Sequence, residues 1–106
     1  MATSKLIVAY PPPNTDAFEA IYHQEHVPMA VAKLEGKTKM VATTVLQSPR
    51  YTPRFYWIAE VHFPSMQVLQ RCAASAGAQE TVAIAAKISS GGPPVIMIAE
   101  EDTFNF

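Results

Sequence analysis

Cysteine is nearly absent from this chain. Cys72 is the only one in 106 residues, which excludes an internal disulfide and any cysteine-based metal site. With no neighbour in sequence to lower its pKa, Cys72 reads as a small buried hydrophobe on a helix, and a reducing, cytoplasmic setting is the expectation. Charge is scarce too: 16% of residues are charged and the formal net charge is −1, so no electrostatic footprint for nucleic acid exists. The densest basic group, Lys33, Lys37 and Lys39 around Gly36, reads as a solvated turn. No apolar run approaches the ~18 residues of a membrane span, and the N-terminus lacks a charged segment followed by an apolar leader. Neither a membrane nor an export route is expected. Glycine is rare, with four residues, and Gly91 and Gly92 follow a helical stretch instead of opening one. They read as a turn and not as a phosphate cradle; G-x-G-x-x-G, G-x-x-x-x-G-K and G-x-S-x-G are all missing, which leaves nucleotide binding and nucleophilic hydrolysis unsupported.

What the chain does have is 49% hydrophobic residues, enough for one core in a single unit spanning 1–106. Residues 5–10 (KLIVAY) are β-rich and stop at Pro11, Pro12 and Pro13, because proline cannot continue a ladder. Asn14 caps a first helix from Thr15, with Asp16 and Glu19 as an alternative capping pair; Phe18, Ile21, Tyr22 and Met29 recur at helical spacing. Pro28 is expected to kink or end that segment near Val27. Residues 40–46 and 55–63 read as strands two and three across a proline-bearing loop. Ser65 caps a second helix over 66–76 that Gly77 breaks or bends, a helical stretch continues over 78–88, and 95–99 form strand four.

This β-α-β-β-α-β order predicts an α+β, ferredoxin-like domain: a four-stranded antiparallel sheet with its helices on one face. Strands one and four and most of strand three are apolar on both alternations, so the second face needs a cover. A second copy of the chain packed sheet to sheet is the economical one, and a homodimer is expected.

Strand three separates two characters. Phe55, Trp57, Ala59, Val61 and Phe63 form an unbroken apolar set that belongs under the helices, which turns Tyr56, Ile58, Glu60 and His62 toward the other sheet, where a cavity is expected. Glu60 and His62, two residues apart on one face, read either as an acid–base pair or as ordinary groups on a wet strand end. His26 lies one helical turn after Tyr22, on the flank of the buried face; it reads either as a pocket residue or as a structural imidazole beside the proline kink. Glu25 lies near the same face but turns outward if Pro28 perturbs it. His23 points away from the Tyr22 stripe and no H-E-x-x-H pattern is present, so no metal is expected.

These residues carry a resemblance. Tyr10-Pro11-Pro12-Pro13, then Asp16-x-Phe18, then Tyr22-x-x-x-His26-x-Pro28 resembles the opening signature of the EthD family. The stretch 56–64 followed by a helix, and Ser89-Ser90-Gly91-Gly92 leading into the last strand, extend the likeness over nearly the whole chain; Ile84 and Ile88 stand where that family often has an aspartate and an aromatic residue. The resemblance implies a dimeric α+β barrel, in a superfamily that includes cofactor-free monooxygenases of aromatics, small isomerases and haem enzymes, which leaves haem ligation by His26 or His62 as a third reading, with EthD itself named for ethyl tert-butyl ether degradation. It implies a protein that binds a hydrophobic, aromatic or oxygenated small molecule and performs oxygenation, dehydration or isomerisation without a cofactor. The alternative is a non-catalytic accessory protein that delivers such a ligand to an oxygenase. The expected catalytic set is His26 as acid or base, Tyr22 on a substrate oxygen, and Glu60 or His62 as relay; Tyr56, Ile58 and Tyr10 are expected to contact substrate.

Overall fold

Four β-rich segments pair into one antiparallel sheet in the order β2-β3-β1-β4: β1 is Thr3–Tyr10, β2 Lys39–Thr44, β3 Trp57–Phe63 and β4 Val95–Glu101. The computed structural model describes residues 3–12, 20, 22–50, 52–89 and 91–106. The helix start assigned to Asn14, Thr15, Asp16, Phe18, Glu19 and Ile21 lies outside the described residues. Between β1 and β2 runs a π-helical turn, Tyr22–His26, that passes into α1, Val27–Lys33. The change of winding falls where Pro28 was expected to act: proline has no N–H to offer the carbonyl four residues back, and a wider turn before it relieves the clash. After β3 come α2, Met66–Ala73, and α3, Ala76–Ile88.

The ladder register decides which face each residue serves. Leu6 stands opposite Val61 and Ile98, and Val8 opposite Ala59 and Ile96, all on the side that carries the helices. There Phe63 and Leu69, with no exposure, pack with Ala30, Leu34, Val61, Cys72 and Ala78. Complete burial of a side chain of that size stabilises by roughly 1.5–3 kcal/mol. A second cluster, Tyr10, Tyr22, Trp57, Ala59 and Ala85, fills the other end of the same layer. The fold is the ferredoxin-like α+β arrangement, with helices on one face of the sheet.

Two local features depart from the sequence reading. The helix after Ser65 ends at Ala73, ahead of Gly77, because Ser75 caps a new helix: its Oγ accepts from the Ala78 N–H at 3.1 Å. Gly77 instead sits in the first turn of α3, where an added Cβ would stand 2.6 Å from the Lys33 carbonyl oxygen; glycine lets α3 cross α1 closely. Two of the three lysines also have definite partners. Lys37 Nζ donates to the Val31 and Leu34 carbonyls at 2.7 and 2.9 Å, closing the end of α1, and Lys33 pairs with Glu80 at 2.8 Å.

Candidate functional site

The π turn brings Tyr22 and His26 inward together. Their rings stack, with centroids 4.9 Å apart and planes 14° from parallel. Tyr22 also meets Trp57 at 5.1 Å and Tyr10 edge-on at 6.1 Å. Tyr22 and His26 are both buried, at 2% and 6% exposure. Burial raises the Tyr22 phenol above its usual range, an effect a hydrogen bond with the Trp57 side chain partly offsets, and it raises Tyr10 as well. Burial holds the His26 imidazole below its ordinary 6.5, with the Thr81 backbone pulling the other way. His26 is therefore neutral near pH 7, and its buried Nδ1 has no hydrogen-bond partner among the described residues.

The Tyr22 and His26 rings border a cavity of about 310 Å³ between the sheet and the helices. Leu6, Val8, Ala59 and Val61 form its sheet wall, while Ala30, Ala78, Thr81 and Ala85 stand on the helical side with Tyr22 and His26. Such a volume lies at the small end of the ~300–1,000 Å³ typical of ligand sites. A nearly apolar chamber with one buried, neutral imidazole in its wall can seat an uncharged organic molecule and exchange a proton with it.

Glu60 and His62 point elsewhere. They lie on the sheet face opposite the helices, as their alternation with Trp57 and Phe63 predicts, but that places the sheet between their side chains and the Tyr22 and His26 rings. The cavity described in the single chain lies on the other face, between the sheet and the helices. Glu60 borders it only as part of the strand, since its carboxylate is bound by Lys5, 2.5 Å away. Lys5 Nζ also reaches Glu101 at 2.9 Å. The two hydrogen bonds, Glu60's being the stronger influence, raise the Lys5 ammonium above its usual range, and Lys5 in turn lowers Glu101. His62 is 4% exposed beside them, so this strand end is not simply wet. Possible ligand atoms of Glu60, His62 and Glu101 lie within 4.8 Å of one another, but the Lys5 ammonium already meets both carboxylates.

The remaining expected residues also divide. Tyr10 joins Tyr22 in the aromatic cluster, and Tyr56, one residue ahead of β3, packs against that cluster instead of turning to the opposite face. Ile58 stands opposite Ala9 and Thr43 on the face away from the helices, half-buried. Glu25 is exposed. His23, discounted as a metal ligand, sits exposed at the cavity rim with its ring 5.9 Å from Trp57. The sequence reading missed Lys5, Glu101 and Thr81. The first two meet Glu60 only through strand register, and no local signal singles out Thr81.

No family model matches the chain, and no curated protein matches it in sequence. Solved structures do match. An ethyl tert-butyl ether d (EthD) family protein from Bacillus halodurans superposes with a TM-score of 0.82 at 27% identity, over 94% of this chain and 99% of that one. An EthD-like protein from Ralstonia eutropha gives 0.71 at 22% identity, over 93% and 91%. A dimeric ferredoxin-like protein of unknown function from Jannaschia sp. gives 0.65 at 13% identity, over 95% and 99%.

Proposed function

Taking as premise that this chain is EthD-like in fold, we propose that it binds an uncharged, hydrophobic, oxygenated small molecule in the cavity beneath the helices and that His26 moves a proton on it. The observation that carries this reading is His26 itself, bordering a nearly apolar chamber with its buried Nδ1 unpartnered among the described residues. Nδ1 accepts a proton from an acidic O–H or C–H of the ligand; the electron pair stays on the ligand as a phenolate or enolate and the imidazole becomes imidazolium. Return of the proton to a different atom is isomerisation. Loss of a neighbouring hydroxide, protonated on leaving, is dehydration. An electron-rich anion of this kind is also what reacts with dioxygen in cofactor-free oxygenation, with O2 as co-substrate. Tyr22 backs the imidazole and fixes its plane. No metal or cofactor enters these steps. Glu60 and His62 are too separated by the sheet to relay this proton, and we assign them to the opposite face.

That face takes a second copy of the chain. Val95, Ile96, Met97 and Ile98 of β4 are each 40% exposed or more, on both alternations of an edge strand, which a lone chain leaves open. Among the described residues no helix is long and apolar enough to cross a membrane.

His26→Gln tests the chemistry. Screening hydroxylated aromatics and enolisable ketones under air gives a turnover assay, in which the variant should lose roughly 10²–10⁴-fold while its melting temperature stays near wild type. Wild-type protein that is stabilised by a ligand of this class yet converts none of the panel is instead the accessory binder. Unchanged turnover in His26→Gln overturns the assignment.

A further inference from the structure

We infer that the cavity selects a neutral ligand of two fused aromatic rings carrying a hydroxyl, and that Ala59 sets this size limit. The inference rests on the proposed binding role of the same cavity. Three observations converge on it.

The first is volume. A dry apolar cavity of ~150 Å³ holds one benzene ring, and this one is about twice that, 310 Å³. The second is shape. Ala42 of β2 and Ile96 of β4 both border the cavity, yet β2 and β4 are the two edges of the four-stranded sheet. At ~4.8 Å between neighbouring strands the space extends for roughly 14 Å across the sheet, confined between one sheet layer and one helix layer. A long, thin space of limited volume suits a flat bicyclic molecule better than a compact one of equal size. The third is charge. Neither lysine nor arginine borders the cavity among the described residues, the Glu60 carboxylate is occupied by Lys5, and burial keeps His26 neutral. A carboxylate or ammonium on the ligand would lie there without a partner, which costs far more than a hydroxyl does when that hydroxyl donates to Nδ1.

Small side chains make this room. Ala59 on the sheet wall and Ala85 on the helix wall, 5% and 2% exposed, stand beside the Tyr22 and Trp57 rings where a larger residue would project into the space. Leucine at 59 adds three carbons to the wall.

The test is a fluorescence and calorimetric titration of the full chain at pH 7.5 with phenol, 2-naphthol, 1-hydroxypyrene and 2-naphthoate. Expected is 2-naphthol binding at least tenfold tighter than any of the other three. In Ala59→Leu, 2-naphthol should weaken at least tenfold while phenol changes less than twofold; Ala85→Leu serves if the first variant does not fold. Hydroxypyrene or naphthoate binding as tightly as 2-naphthol overturns the inference, as does a folded Ala59→Leu, or a folded Ala85→Leu in its place, with wild-type naphthol affinity. Phenol binding as tightly as 2-naphthol overturns the two-ring limit and leaves the proton-transfer role of His26 standing. Failure of all four to bind overturns the binding role itself along with the size limit.

Discussion

His26 lies flat against Tyr22, ring to ring at 4.9 Å, and borders the cavity, while its buried Nδ1 has no partner among the described residues. One residue is thus held by its ring face while it borders the cavity. Spacing alone would put residues four apart on one side of a helix; the π winding of Tyr22–His26 and the proline just after it turn that side toward the sheet.

Burial of His26 ties stability to pH with a definite sign. Above about 6.5 the imidazole is neutral in both the folded and unfolded chain and adds no pH dependence. As pH falls below 6.5 the unfolded chain takes up a proton that the folded chain, with its lowered pKa, refuses, so stability drops until the pH passes the folded value. Thermal melts at pH 5, 6 and 7 should show a steeper decline for wild type than for His26→Gln. Parallel declines would mean that the folded imidazole titrates like a free one.

Gly77 offers a substitution whose sign separates two effects. Alanine is the better helix former by about 1 kcal/mol, so propensity alone predicts a gain. The added Cβ, however, would meet the Lys33 carbonyl oxygen at 2.6 Å and the Lys33 Cβ at 3.1 Å. Overpacking of that kind costs about 1–3 kcal/mol. Gly77→Ala should therefore unfold at lower denaturant than wild type, and a rise in the midpoint would show that α1 and α3 can part without loss.

The element order, the four strands and the helix-facing set Trp57, Ala59, Val61 and Phe63 were legible because period-2 patterning and proline stops are local signals. So was the pairing of Tyr22 with His26, which needs only helical spacing. The cavity's location was not. Alternation along β3 tells which residues share a face but not which face encloses space, and the space here comes from alanines at 30, 59, 78 and 85 brought together by tertiary packing. The partner of Glu60 was hidden for a related reason: Lys5 is 55 positions away, and only the pairing of β1 with β3 brings them together. The break at Ser75 was missed because glycine is the more conspicuous helix breaker, although a serine three residues before an N–H it can cap is an equally physical signal.

Lys5 should control the acid behaviour of Glu101. Hydrogen bonding to Lys5 holds that carboxyl below its ordinary 4.5, so the pair contributes its stability above that pH and loses it as pH falls through the lowered value. Carbon-detected NMR titration of the glutamate carboxyls should find Glu101 below 4.5 in wild type and returned toward it in Lys5→Met. An unmoved Glu101 would show that the ion pair does not persist in solution.

The exposed residues of β4 distinguish how a second copy would sit. Met97 lies opposite Ile7, on the face away from the helices, whereas Ile98 lies opposite Leu6, on the helix side. Packing of two sheets face to face buries Met97 and leaves Ile98 at the margin; an association confined to the helix side does the reverse. A stable interface removes about 1,200–2,000 Å² from water, and a lysine placed at its centre must be desolvated without a partner. Sedimentation equilibrium of the wild-type chain at micromolar concentration should therefore give a dimer. Met97→Lys should weaken it by at least tenfold with the circular dichroism of the monomer intact, and Ile98→Lys should weaken it less. The opposite ranking would move the interface to the helix side of the sheet, and a wild-type chain that sediments as a folded monomer would end the sheet-to-sheet dimer altogether.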